Sequence, residues 1–163
     1  MTARKKMFGE LMGRLTKVAM SEPEQNAVVL AELKLLRERA PQLTGVLVAS
    51  SDGLLVAHDL PTHLEPTAMA AMAAAQLSLS HRLATTAHGG GFHEVVVRGT
   101  AGYVVIYAAG WTSLTVLAGP EVNVGRLHLE SRPVARAVAE HLAAMANDSG
   151  KHRTTNTDRK ERI

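Results

Sequence analysis

The stretch from Thr67 to Ala87 is the feature that most constrains what this 163-residue chain can fold into. It reads TAMAAMAAAQLSLSHRLATTA, and three consecutive glycines follow shortly after it. Alanine, methionine and leucine favour helix, and glycine ends it, so the stretch predicts one long helix. A helix that is apolar on nearly all sides must be covered on more than one side. A single sheet covers one side only, so a second packing partner is expected.

Two stripes run along this predicted helix, at about 100° per residue. The bulky stripe is expected to pack on a sheet and consists of Met69, Met72, Leu79 and Leu83. The other stripe is mostly small and consists of Ala70, Ala74, Leu77, His81 and Ala84. Small residues let another helix approach closely, and the simplest source is the same helix of a second copy. The small stripe is therefore the predicted homodimer interface, with cover by one of the chain's own terminal helices as the alternative. Polar residues beside it are predicted partner contacts: Ser78, Arg82 and Thr85.

The elements around the middle helix follow from caps, turns and alternation. Ser21 opens a first helix with the capping sequence Ser-Glu-Pro-Glu, and Pro41 stops it. A β-rich run is followed by Ser51-Asp52-Gly53, which is typical of a tight turn. This order predicts a hairpin. After the middle helix come three predicted strands and a last helix: Phe92–Arg98, Tyr103–Ala109, Ser113–Ala118 and Arg126–Ala146. The order α-β-β-α-β-β-β-α predicts an α+β fold.

The charge distribution separates two tails from the predicted domain. Residues 1–20 carry a net charge of +4, residues 21–147 carry −3 and residues 148–163 carry +2. Because the basic residues belong to the tails, the domain at 21–147 has no basic surface for nucleic acid, and no nucleic-acid partner is expected. Residues 148–163 are polar and predicted to be disordered.

The first twenty residues leave two interpretations open. Apolar residues such as Phe8, Leu11 and Leu15 recur at helical spacing among lysines and arginines. That pattern is typical of a basic amphipathic helix that contacts a membrane surface or a partner, or of a disordered tail. A membrane contact is expected through this segment only.

Several functional classes lose support from the sequence. Cysteine is absent, which excludes disulfides and thiolate metal sites. No apolar run reaches the length of a membrane span, and the N-terminal residues lack the continuous apolar region of a secretory signal, so we expect a cytoplasmic protein. Neither a P-loop, nor a dinucleotide fingerprint, nor a Gly-x-Ser-x-Gly nucleophile elbow is present. We expect no catalytic residue, cofactor or metal, and hence no enzyme.

Four stretches of the chain resemble the roadblock/dynein light chain family, in particular its bacterial and actinobacterial members. They are Leu43–Ala57 (LTGVLVASSDGLLVA), Gly102–Gly110 (GYVVIYAAG), Leu114–Ala118 (LTVLA) and Asn123–Glu130 (NVGRLHLE). The resemblance implies a profilin-like sandwich with a central five-stranded antiparallel sheet. It also implies homodimers joined by sheet edges and middle helices, which are mostly noncatalytic platforms for Ras-like small GTPases.

The predicted function is thus a homodimeric adaptor or regulator of a Ras-like small GTPase in a bacterial signalling or polarity system. The alternatives are a profilin-like small-molecule sensor and a structural scaffold.

Overall fold

A computed structural model describes the backbone of residues 23–157 and the side chains of residues 27–148. The predicted amphipathic segment 1–20 and Ser21 of the predicted capping sequence lie outside these described residues. Three helices and five strands occur in the described part, in the predicted order: α1 (Pro23–Arg39), β1 (Leu43–Ser50), β2 (Leu55–Asp59), α2 (Pro66–His88), β3 (Glu94–Gly99), β4 (Gly102–Ala109), β5 (Thr112–Ala118) and α3 (Val124–Thr157).

The five strands form one antiparallel sheet in the order β2-β1-β5-β4-β3. β1 and β5 lie at its centre, and β2 and β3 are its edges. The predicted α+β fold with a five-stranded antiparallel sheet is confirmed. The predicted hairpin is confirmed too, with Gly53 at a φ of 82° in the β1–β2 turn.

The main core lies between the sheet and the pair α1 and α3, which pack on one face and contact each other. Its side chains come from all three layers and include Leu33 and Leu36 of α1, Val105 of β4, Val116 of β5 and Leu127 of α3. The helix α2 covers the other face and contacts every strand.

The edge at β2 is tied to α1. Nη1 of Arg37 lies 2.7 Å from Oδ2 of Asp59, which joins the last turn of α1 to the end of β2. Among the described residues, no helix is both long enough and apolar enough to cross a membrane.

The last helix is longer than the sequence predicts. It runs from Val124 to Thr157, past the predicted end at about Ala146. The residues after Asn147 include Gly150, Thr154 and Thr155, whose low helix propensity does not indicate this continuation. Pro133 lies inside the helix. It removes one backbone donor there, and the buried Leu127, Val134 and Val138 hold the segment on the sheet across it.

Two leucines of α1, one buried and one exposed, allow a test of which side of this helix packs into the core. Leu33 is fully buried, whereas Leu35 is 49% exposed. We expect Leu33→Ala to lower the free energy of unfolding by about 2–5 kcal/mol because it leaves a cavity. The same change at Leu35 should cost no more than about 0.5 kcal/mol. Urea unfolding followed by circular dichroism measures both, and equal losses would contradict this core.

Candidate interaction surface

Both ends of α2 are fixed by local hydrogen bonds. The Glu65 carboxylate accepts hydrogen bonds from the backbone N–H groups of Ala68 (2.6 Å) and Thr67 (3.2 Å). The hydrogen bond from Ala68, followed by the one from Thr67, lowers the pKa of Glu65. The negative charge of Glu65 also faces the positive end of the helix dipole. At the other end Gly89 has a φ of 69°, and its N–H donates to the Thr85 carbonyl oxygen at 2.9 Å. The helix therefore has a defined start and end.

The side of α2 that packs on the sheet is made of alanines. Ala70, Ala73 and Ala74 are buried. Ala70 joins Leu47 and Ala49 of β1 in a second, smaller apolar cluster on this face of the sheet. Such short side chains allow a helix backbone to lie close to the surface beneath it.

The β1–β2 turn shows how close α2 lies. A Cβ placed on Gly53 would be 3.2 Å from the Cα of Ala71 and 3.6 Å from the Cβ of Ala74. Glycine is favoured at Gly53 for two reasons. The positive φ disfavours a residue with a side chain, and α2 occupies the space that a side chain would need.

The opposite side of α2 exposes large apolar residues. Met72, Leu79 and Leu83 are 58%, 64% and 70% exposed, and Ala75 between them is exposed as well. Their spacing of three to four residues places these four on one stripe, which we call the outer face of α2. Only Met69 of the predicted bulky stripe packs against the smaller cluster. The prediction that the bulky stripe faces the sheet is wrong for the other three, because the alanines bring the backbone too close to leave room beneath.

The predicted dimer stripe is corrected accordingly. Ala70 and Ala74 are already covered by the chain's own sheet, so they are not available to a second copy. Leu77 and Ala84 are half-buried, and their place in an interface stays a prediction. His81 is exposed, and its ring meets that of Phe92 edge-on at 5.7 Å between centroids.

The predicted partner contacts divide into two groups. Ser78 and Arg82 are exposed beside the outer face, as a contact with another protein requires. Thr85 is half-buried, and its hydroxyl donates to the His81 carbonyl oxygen at 2.8 Å. That hydroxyl serves the helix itself, which makes Thr85 a poor candidate for a partner.

The edge strand β3 adds a second exposed apolar feature. It pairs with β4 only, so the backbone groups on its other side have no strand partner in the described part of the chain. Val96 and Val97, which point to opposite faces, are each 42% exposed. A free edge of this kind is a template for pairing with another strand. Phe92 precedes β3 and contacts His81, so α2 reaches the side of the sheet where this edge lies.

A polar cluster on the other sheet face was not predicted from the sequence. Arg132 of α3 holds Glu94 of β3 in a bidentate ion pair, with Nε 2.9 Å from Oε2 and Nη2 on Oε1. The Tyr107 hydroxyl lies 2.9 Å from Nδ1 of His128, which is 3.8 Å from Oε1 of Glu94. Burial raises the pKa of Tyr107 to about 12, so its hydroxyl stays neutral. The Arg132 hydrogen bond is the main cause that lowers the pKa of Glu94, which stays ionised.

Neither surface has the donor set of a metal centre. Among the side chains that the structure describes, no group of three or more histidine, aspartate or glutamate residues converges in a way that would hold a metal ion. The chemistry that these surfaces support is apolar contact, strand pairing and recognition of charge.

Comparison with known proteins identifies relatives for most of this fold. Residues 29–118, more than half of the chain, match the model of the Roadblock/LC7 domain. An uncharacterized protein of Methanocaldococcus jannaschii is 28% identical over 107 residues, which cover 66% of this chain and 87% of that protein. A second uncharacterized protein of that organism is 27% identical over 96 residues, which cover 59% and 84%.

Solved structures share the same arrangement. A Roadblock/LC7 domain from Streptomyces avermitilis has a TM-score of 0.62 at 29% identity and covers 70% of this chain and 97% of its own. MglB of Myxococcus xanthus has a TM-score of 0.67 at 15% identity and covers 73% and 90%. An MglB structure described with a tetrameric arrangement has a TM-score of 0.64 at 17% identity and covers 72% and 89%. The two MglB structures, at these identities, show a shared fold alone.

Two glycines test the close contact under α2. We expect Gly53→Ala to lower the free energy of unfolding by about 1–2 kcal/mol, because alanine resists the positive φ and crowds the helix. Gly91→Ala is the matched control, since a Cβ there meets nothing within 4 Å and its φ is not positive. Thermal unfolding compares the two variants, and an unchanged Gly53→Ala protein would contradict the contact.

Proposed function

The chain belongs to the Roadblock/LC7 domain family, and on that premise we propose that it is a noncatalytic homodimeric adaptor or regulator of a Ras-like small GTPase in a bacterial signalling or polarity system. The observation that carries the proposal is the outer face of α2, an apolar helix surface that the other described residues of the chain leave in solvent. The class of partner comes from the family, since the resemblance implies platforms for Ras-like small GTPases.

A second copy of the chain is the occupant that best suits the outer face. Contiguous apolar surface on one side of a helix is uncommon on a monomer and marks an interaction site. A twofold axis that pairs two outer faces would cover this apolar surface, and the free edge of β3 offers a separate place for pairing with another strand. The tetrameric arrangement named for one MglB structure supports self-association in this fold.

The GTPase is proposed to bind at the polar border of the paired α2 helices. Ser78 and Arg82 lie beside the outer face and remain exposed. Arginine combines charge with a planar donor group, and it is enriched among the residues that dominate binding energy where a partner buries them. Arg82 is therefore the side chain to which we assign the largest contribution to partner binding.

A noncatalytic role is supported by membership of a regulatory and adaptor domain family. The alternative, a small-molecule sensor or scaffold, has one observation in its favour. An open groove of about 510 Å³ lies on the sheet face opposite α2.

Self-association is tested by charging the outer face. Leu79→Glu should convert a dimer into a monomer, because two carboxylates would be buried against each other at the twofold contact. The monomer should keep its fold, since Leu79 is 64% exposed in the single chain. Leu129→Glu is the matched control at a 76% exposed leucine of α3. Analytical ultracentrifugation at micromolar concentration gives the masses. A monomeric parent protein would contradict the proposed dimer, and equal dissociation of both variants would contradict its interface at the outer face.

GTPase binding is tested by pull-down from native cytosol with the full chain, once with a nonhydrolysable GTP analogue and once with GDP. We expect a Ras-like small GTPase to be recovered mainly with the GTP analogue. Arg82→Ala should weaken that binding at least about fivefold, as loss of an interface arginine typically does. Arg126→Ala, at an exposed arginine in the first turn of α3, should leave it unchanged. No GTPase in either nucleotide state would overturn the proposal.

A further inference from the structure

The groove opposite α2 is separate from the outer face of α2, and His93 and Glu94 at the start of β3 line it. It opens between the ends of β3 and β4 and the helix α3, with a volume of about 510 Å³. Sites for small molecules typically measure about 300–1,000 Å³. Its size therefore suits a small organic ligand.

The floor of the groove consists of small residues from two elements. Ala109 and Gly110 come from the end of β4 and the turn after it, and Ala135 and Ala139 come from α3. Gly110 has a φ of 61°, and a Cβ there would lie 3.9 Å from the Cβ of Ala139. The absence of long side chains on the floor leaves the space open between the strand and the helix.

The wall of the groove is a charged side-chain pair that is held in place. Arg132 bonds Glu94 through Nε and Nη2, so the two charges compensate each other. These bonds leave Nη1 of Arg132 without a hydrogen-bond partner among the described residues. Tyr107, whose neutral hydroxyl lies 2.9 Å from Nδ1 of His128, is also among the lining residues. Because Arg132 is held in place and keeps free N–H donors, this wall is suited to bind an oxygen atom of a ligand.

Arg136 gives the groove its excess positive charge. It lies one helical turn beyond Arg132, lines the same groove and is exposed. Within the part of the chain that the structure describes, no carboxylate forms an ion pair with it. The groove thus contains two arginines and one glutamate, and His93 lines it as well.

We propose that this groove is a binding site for a small organic anion, whose carboxylate or phosphate group is held by Arg136 and the free Nη1 group of Arg132. Guanidinium groups bind carboxylate and phosphate through paired hydrogen bonds, and the small floor accommodates the carbon body of the ligand beside Ala135 and Ala139. Glu94 orients Arg132 from the β3 side and does not touch the anion. Arg132 and Arg136 lie beyond residues 29–118 that match the family model, whereas the lining residues from β3, β4 and the turn after β4 lie within them.

The test is an NMR titration of the full-length ¹⁵N-labelled chain with two separate probes, succinate and inorganic phosphate. Sodium chloride at matched ionic strength is the blank. We expect saturable shifts of the backbone amides of Ala109, Gly110 and the Arg132–Arg136 segment. Arg136→Gln should weaken binding at least about tenfold, as loss of a charge-assisted hydrogen bond does, and Arg136→Lys should weaken it less. Arg126→Gln removes the same charge from the same helix outside the groove and should leave binding unchanged.

The pattern across probes identifies the source of the oxyanion. Saturation by succinate alone assigns a carboxylate ligand, and saturation by phosphate alone assigns a phosphorylated one. Either result supports the site. Shifts that sodium chloride reproduces, equal losses in Arg136→Gln and Arg126→Gln, or no saturable response to either probe would overturn it. None of these readouts depends on the GTPase or on dimer formation.

Discussion

The contact between the alanines of α2 and the sheet is the packing on which the exposed surface of this protein depends. Ala70 and Ala74 lie against the sheet and the β1–β2 turn, and Gly53 leaves the helix room to do so. Because one side of the helix is fixed in this way, its larger apolar residues must point away from the sheet. The outer face is thus a consequence of close packing, and an exposed apolar surface of this kind marks an interaction site.

The two faces of the sheet therefore carry different chemistry. On one face a single helix, built of alanine inside and leucine outside, presents apolar surface beside a free strand edge. On the other face α1 and α3 bury the main core, and a groove remains between α3 and the ends of β3 and β4. Charged side chains lie at that groove because Arg132 of α3 reaches across to bind Glu94 of β3. Self-association through the outer face of α2 and anion binding in the groove would use opposite faces of the sheet.

Local signals in the sequence predict the elements and their order correctly, since glycine turns and proline stops act within a few residues. The rotation of α2 was not predictable in the same way. Both of its stripes are apolar, and small residues permit close approach to a sheet as readily as to a helix. The pairing of Glu94 with Arg132 joins residues 38 positions apart, which no spacing rule indicates. The length of α3 was missed because the residues after Asn147, which include Gly150, Thr154 and Thr155, have low helix propensity.

A single-cysteine crosslink tests the orientation of α2 most directly, since the chain contains no cysteine of its own. Leu79→Cys and Ala70→Cys proteins would be oxidised mildly under native conditions and analysed by non-reducing electrophoresis. Packing of the alanines on the sheet predicts a disulfide-linked dimer for Leu79→Cys and a protected thiol for Ala70→Cys. Linkage of Ala70→Cys with no linkage of Leu79→Cys would contradict that packing and restore the small stripe as the dimer surface.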